Sequence, residues 1–298
     1  MPSKNYYELQ QQGVDVYRQL KNDHYLNLDI EYWQKKIADC HNAYLRHKSE
    51  KYKARAVIEG YTNYIQLVEI FFINLHASTL PPEQLMVGLF MTNQELRDYI
   101  SEIKDKRSKN LELYFERILK PIVEMVHKND STAYSQRMML YKSTFNEVIK
   151  DYLQDYQLLN AYKHGFRITI NVGESSLSIR NNNGESYKVA SGDATINYYS
   201  SGRRDGKTIV YEHTASFNAT RIFGKAHFMY VMLQNLVEVQ KAIAKPGKKQ
   251  KYRYFEVPNK DLWNKSFDSV RWKMDFAMFQ TQPDKQTDTK HKPKNVHS

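Results

Sequence analysis

One short segment concentrates groups able to move protons and hold phosphate: Asn160-Ala-Tyr-Lys163-His164-Gly165-Phe-Arg167. A neutral imidazole at His164 would accept the proton of a ribose 2′-hydroxyl, and a protonated one would supply a leaving oxygen. Lys163 and Arg167 would offset charge on the phosphorane, with Asn160 contributing an amide. Such a set could cleave RNA without a metal. The same residue types also suit the end of a helix, where cations face the negative dipole end and glycine takes the C′ position. Residue types do not separate the two readings.

The remaining sequence offers weaker chemistry. It contains no Walker loop, dinucleotide glycine fingerprint, His-Glu-x-x-His pair, paired-cysteine zinc pattern or Gly-x-Ser-x-Gly elbow. Cys40, His41 and His47 make a poor metal set, because positions six or seven apart on one helix do not converge. Surface or core-edge histidines account for them better, and neither metal nor cofactor is expected. Arg203 and Arg204, within Ser201-Gly-Arg-Arg-Asp-Gly-Lys207, mark a basic hairpin tip that either touches phosphates or stays solvated. Lys248, Lys249, Lys251 and Arg253 interleave with Tyr252, Tyr254 and Phe255. That alternation suits a nucleic acid, since cations release counterions from phosphates and rings stack on unpaired bases. Glu59 and Glu69 are candidate buried acids, with nothing in the sequence to pair them with His164.

Charge placement points the same way. The chain has 298 residues, 23 tyrosines and a net charge of +11. Residues 245–298 hold 13 Lys or Arg against 6 Asp or Glu, a net +7, which leaves +4 for everything before them. The most apolar run, Tyr64 to Leu75, is interrupted by Gln66, Glu69 and Asn74, so no membrane span is expected. The N-terminus has no secretory pattern, and a lone Cys40 fits a reducing cytosol. The expectation is a soluble, cytoplasmic protein with a polyanionic partner.

The elements that must position these groups follow from hydrophobic spacing. Residues 1–165 read as a helical bundle. Trp33, Ile37, Cys40 and Tyr44 form one stripe of a long run from Ile30 to about His76, with a possible break at Gly60; Tyr61, Ile65, Val68 and Phe72 continue it. Pro81-Pro82 stops that run, Thr92-x-x-Glu95 has the form of a capping box, and Pro121 should kink or break a later helix. Met138, Tyr141, Phe145, Val148, Tyr152, Tyr156 and Leu159 line the last bundle helix. The period then drops to two. Phe166, Ile168, Ile170 and Val172 begin an antiparallel meander of hairpins over 166–216, with Asn183-Gly184 and Asp205-Gly206 as turns. A helix over 217–246 packs back on the bundle and ends at Pro246-Gly247. Residues 247–298 form a basic, aromatic C-terminal segment with a disordered tail; within it 263–279 fits helix or strand, and length favours helix. The fold class is mainly α with an inserted antiparallel β-meander, α+β overall.

A long helical bundle followed by Asn160-x-x-Lys163-His164-Gly165 resembles the HEPN superfamily. The family signature is an Arg, commonly followed by Asn or another polar residue, then a His after four to six intervening residues. Asn160 and His164 match the second and last positions, while Leu159 stands where the Arg should be. The resemblance covers the bundle and the motif, not the strands or the tail. It implies a metal-independent endoribonuclease of a bacterial defence or toxin–antitoxin system, or a non-catalytic relative that binds RNA or a partner protein. The missing guanidinium counts against catalysis, since Lys163 or Arg167 would have to replace it and the two cations are not interchangeable at phosphate. The family also implies a homodimer with the motifs of two subunits facing across a cleft. The Tyr64–Leu75 face is a candidate for burial there, or else an ordinary core helix.

Overall fold

In the computed structural model, residues 4–105, 109–128, 130–163, 168–171, 175–180, 186–204, 207–247, 251–257 and 271–279 are described. The chain is mainly α-helical with an inserted antiparallel β segment, α+β overall. Helices α1 (Lys4–Asn27), α2 (Glu31–Arg46) and α3 (Glu50–Thr79) come first, followed by a 3₁₀ turn Pro82–Gln84, α4 (Leu85–Leu89) and α5 (Asn93–Lys104). Then come α6 (Asn110–Tyr114), α7 (Lys120–Val126) and the long α8 (Ser131–Lys163). Strands β1 (Ile168–Asn171), β2 (Ser175–Arg180), β3 (Ser186–Gly192), β4 (Ala194–Arg204) and β5 (Lys207–Phe217) precede α9 (Ala219–Ala244), and β6 (Arg271–Phe279) ends the described chain.

Helices α3 and α9 form the centre. Residues 221–223 and 228–237 of α9 are buried all round, as are 61–65, 67, 68, 71 and 72 of α3. Glycine lets the two axes approach: a Cβ at Gly60 would sit 2.6 Å from Phe223 Cε1. The expected break at Gly60 is therefore absent, and α3 runs straight through it. The interruption falls instead at His47, whose extended backbone (φ −72°, ψ 137°) separates α2 from α3. The Tyr64–Leu75 stretch is enclosed by its own chain, with Tyr64, Leu67, Val68, Phe71 and Phe72 at 0% exposure. It is a core helix and not a free subunit face.

Other local signals are realised in the fold. The Thr92 capping box is complete, with the hydroxyl accepting from Glu95 N–H and the Glu95 carboxylate accepting from Thr92 N–H. Pro121 does not break its helix. Phe115–Leu119 winds as a π-turn just before it, which accommodates the ring where the turn four residues back would clash. Gly247 ends the α9 region at φ +88°. Of the stripe expected for that helix, Ile222, Ala226, Met229, Leu233 and Leu236 are buried, whereas Ile243 lies past the bundle and is exposed.

The β segment is not a plain meander. A four-stranded antiparallel sheet has the order β1-β4-β5-β6, and β2–β3 is a separate two-stranded hairpin placed between β1 and β4 in sequence. The inner face of the sheet seals against the bundle through Ala194, Ile196, Ala215 and Phe217, all nearly inaccessible, with the Phe217 ring 4.3 Å from that of Tyr61. Asp193 fastens the join, accepting from the Tyr44 hydroxyl (3.1 Å) and from Ala219 N–H (2.7 Å). Residues 271–279 correct the helical expectation: their alternation of Trp272, Met274, Phe276 and Met278 is used as strand β6 on the open edge of β5. Residues 263–270 lie outside the described ones. Among the described residues no helix is long and apolar enough to cross a membrane.

Candidate functional site

Helix α8 is helical through Asn160 to Lys163, and β1 begins at Ile168. His164 and Arg167 fall in the four-residue connection and lie outside the described residues, as do Lys248 and Lys249; the side chains of Asn160 and Lys163 are likewise undescribed. Leu158 and Leu159 are each 1% exposed, so the position that would carry the motif Arg faces the core. In the final turn, the Tyr162 hydroxyl is held above its usual range by burial first, then by the charges of Glu59 and Cys40.

A second set of residues, not anticipated from sequence, fixes α8 in place. Glu147, Asp151 and Asp155 recur every four residues on α8 and point at α9 and α3. Arg221 bridges to Glu147 at 2.9 Å; Lys225 bridges to Asp151 at 2.7 Å and to Glu147 at 3.4 Å. Tyr64 donates to Asp151 (3.0 Å), and Tyr61 donates to Asp155. The Arg221 and Lys225 side chains are only 7% and 5% exposed. The Tyr64 hydroxyl is pushed well above its ordinary pKa by desolvation and then by Asp151. Ion pairs of this kind, with both cations nearly enclosed and Glu147 at the rim, tie α8 to α9 while Tyr61 and Tyr64 tie it to α3. The sequence signal was available: acids at i, i+4 and i+8 on one apolar helix, and cations at i and i+4 on another. Glu69, half-buried, accepts from Tyr152 at 3.4 Å, while Glu59 is exposed.

The basic candidates divide between two places. Arg203 and Arg204 stand at the far end of β4, where the register pairs Arg203 with Thr208 and Arg204 with Lys207. Because Ile168 of β1 pairs with Tyr198 of the same β4, this ribbon extends from the α8–β1 connection. Lys251 and Arg253 belong to a different surface. Residues 251–257 form a strap laid over the bundle and held by side chains. Asn235 exchanges two 2.8 Å bonds with the backbone of Arg253, Tyr141 donates to Phe255 carbonyl at 2.6 Å, and Arg137 donates to Val257 carbonyl at 2.7 Å. Phe255 packs on Phe228, so that ring is structural, while Lys251 and Arg253 remain exposed. Tyr141 is 19 residues before Asn160 on α8, about 28 Å along a helix. The strap and the motif are therefore far apart.

Two further features bear on chemistry. Among the described residues no three His, Cys, Asp or Glu side chains converge as metal ligands. His41 stacks on Phe223 at 4.6 Å, His47 stacks on Tyr52 at 5.3 Å, and the buried Cys40 thiol is pushed up to about 11, chiefly by desolvation. A groove of about 410 Å³ between α2 and α9 is lined by His41, Phe223, His227 and Phe255. The pKa of His227 is lowered there by burial and by Arg253. No family model matches the chain, and neither does any curated protein or solved structure.

Proposed function

We propose that this chain is an HEPN-like, metal-independent endoribonuclease acting at the α8–β1 connection. His164 serves as the proton-transfer group, Asn160 as a hydrogen-bonding amide, and Lys163 and Arg167 as phosphate cations. The observation that supports this reading is the uninterrupted course of α8 to Lys163, with four residues between it and β1. It confines Asn160, Lys163, His164 and Arg167 to one helical turn and the connection that follows. The net charge of +11 suits RNA as the partner, with Arg203 and Arg204 on the adjoining ribbon. A cytoplasmic setting, a homodimer or a partner protein, and a role in bacterial defence or a toxin–antitoxin pair belong to the same reading. The test is cleavage of single-stranded RNA in excess chelator. Wild type should cut and His164→Ala, equally folded, should not; an inactive wild type overturns the proposal.

A second reading rests on Leu159. Since that position is enclosed, the guanidinium expected of an active family member has no counterpart there. A non-catalytic subunit that binds RNA or a partner protein accommodates this without further assumption. RNA affinity would then fall steeply between 50 and 200 mM salt, on the order of 10³-fold or more for six phosphate contacts. Retention that is absent or insensitive to salt removes it.

A further inference from the structure

We propose that the groove between α2 and α9 seats an unpaired base of single-stranded RNA, with the adjoining phosphate on Arg253. The inference goes beyond the ribonuclease reading: it shares the RNA partner, but needs neither cleavage nor the α8–β1 connection. The groove has a volume of about 410 Å³, within the range of about 300–1,000 Å³ of small-ligand sites. Its walls are two helices running in opposite directions. His41 of α2 stacks on Phe223 of α9, while Tyr230, further along α9, donates to Gln34, earlier on α2.

Each helix contributes the same pattern. Gln34, Ile37, Ala38 and His41 recur at i, i+3, i+4 and i+7 on α2, and Thr220, Phe223, Gly224 and His227 do so on α9. In both, an apolar residue forms the floor, a residue with no more than a Cβ leaves space beside it, and a histidine closes one end. Seven residues of helix rise about 10 Å, the length of a base with its sugar. Ile37 and Phe223 are buried, whereas His41, Thr220 and His227 are exposed. Rings therefore stand at both ends: His41 lies nearly parallel to Phe223, with 21° between planes, and His227 is 5.5 Å from Phe255 of the strap. A flat heterocycle suits such a slot, because bases stack on aromatic faces.

The rim carries polar groups that are uncommitted to protein. Among the described residues, Gln34 Nε2, the Thr220 hydroxyl and the imidazoles of His41 and His227 make no hydrogen bond, while Gln34 Oε1 accepts from Tyr230 and so orients the amide. Burial, then Arg253, lowers the pKa of His227, so at neutral pH its ring keeps one donor and one acceptor. An amide and a neutral imidazole match the donors and acceptors of a base edge. Charge sets the orientation. Arg253 is exposed on the strap, with its guanidinium 5.7 Å from the centre of the Tyr230 ring. The hollow adjoining on the α2 side is lined by Asp29 and Glu31, which repel a phosphate and leave the strap as its place. Lys251, also exposed, lies two residues before Arg253, at most about 7 Å of chain, so the next phosphate of the same strand meets a cation too.

The experiment follows fluorescence anisotropy of a labelled 2′-O-methyl oligouridine, which has no free 2′-hydroxyl and is not cut, with the full chain. An abasic oligomer of the same length and uridine 5′-monophosphate are the other probes. Ala38→Phe, at an exposed position, fills the groove and should weaken oligouridine binding by about 10-fold or more while the abasic oligomer binds as to wild type. His41→Ala should weaken it by about 5-fold or more, which keeps the proposal testable if Ala38→Phe fails to fold. Arg253→Gln should reduce the slope of log affinity against log salt by about 0.7 for both oligomers; an unchanged slope overturns its phosphate contact. Unchanged oligouridine affinity in the folded groove variants, or equal loss on the abasic oligomer, overturns the base seat and leaves the ribonuclease reading intact. Uridine monophosphate bound as tightly as the oligomer overturns a strand as the occupant in favour of a free nucleotide. A wild type that binds neither oligomer overturns the proposal, and the ribonuclease reading then rests on the cleavage test alone.

Discussion

Two polar clusters cross between elements, and they differ in how the protein treats them. In the bundle, Glu147, Asp151, Arg221 and Lys225 answer one another's charges between α8 and α9, with a tyrosine hydroxyl from α3 completing the set; the cations are 7% and 5% exposed, Asp151 14%, and Glu147, at the rim, 27%. At the sheet margin, Ser200 and His213 make a short bond but stay half-buried beside the start of β1. The enclosed cluster costs desolvation and returns geometry: it fixes the approach of α8 to its end. The margin pair joins β4 to β5 at half-buried positions. Substitutions should separate the two.

The largest expected effect comes from raising pH. Tyr25, Tyr64, Tyr114, Tyr141 and Tyr152 are all nearly inaccessible, and burial is the first cause holding each hydroxyl above its ordinary value near 10. Their folded pKa values exceed the unfolded ones, so the stability they contribute is complete below pH 10 and is lost as pH climbs past it. Each loses about 1.4 kcal/mol per pH unit, so the five together lose about 7 kcal/mol per unit. Tyrosinate absorbance at 295 nm from these five should appear only with loss of helix. Complete ionisation of all 23 tyrosines in a still-helical protein at pH 11 would contradict the enclosure on which the comparison depends.

Lys225→Met comes next. It strands Asp151 in the interior with its cation gone and should cost about 3–5 kcal/mol in urea denaturation. Adding Asp151→Asn, which still accepts from Tyr64, should recover much of that loss. If the single variant unfolds like wild type, the ladder is not the support described. Gly60→Ala tests the same α3–α9 seam by shape alone. Its methyl would overlap the Phe223 ring, and a destabilisation of about 1–3 kcal/mol is expected. Phe223→Leu in the same chain should relieve it; a double variant worse than the sum of both would place the crowding elsewhere.

Much of this arrangement was legible in the sequence, and the failures have physical causes. Apolar stripes located α8, α9 and the helical stretch from Ile30 to His76, though not its division into α2 and α3 at His47, and the Thr92–Glu95 box marked the start of α5, because burial and capping act over a few residues. Gly60 misled because its missing Cβ serves a crossing with Phe223, 163 residues away, and not a local bend. Residues 271–279 misled because pairing with β5 is a long-range choice that an alternating segment also compatible with helix cannot declare. The acid and base ladders went unread, although their i, i+4 spacing is in the sequence, because only the α8–α9 packing brings the two sets of charges together. At the candidate site the motif residues announced themselves by type. The Ser200–His213 pair at the sheet margin did not, since only the β4–β5 register brings positions 13 apart within hydrogen-bond distance.

The smallest effect is the most discriminating. Ser200→Ala removes the hydroxyl that meets His213, at a half-buried position where water can replace a lost partner. A stability change of about 0.5–1 kcal/mol is expected, well below that of Lys225→Met. Thermal and urea denaturation of the two variants, side by side, measure the contrast directly. If Ser200→Ala instead costs as much as breaking the interior ion pairs, the margin pair is a structural fastener for β4 and β5. The contrast drawn from the exposure of the two clusters then fails.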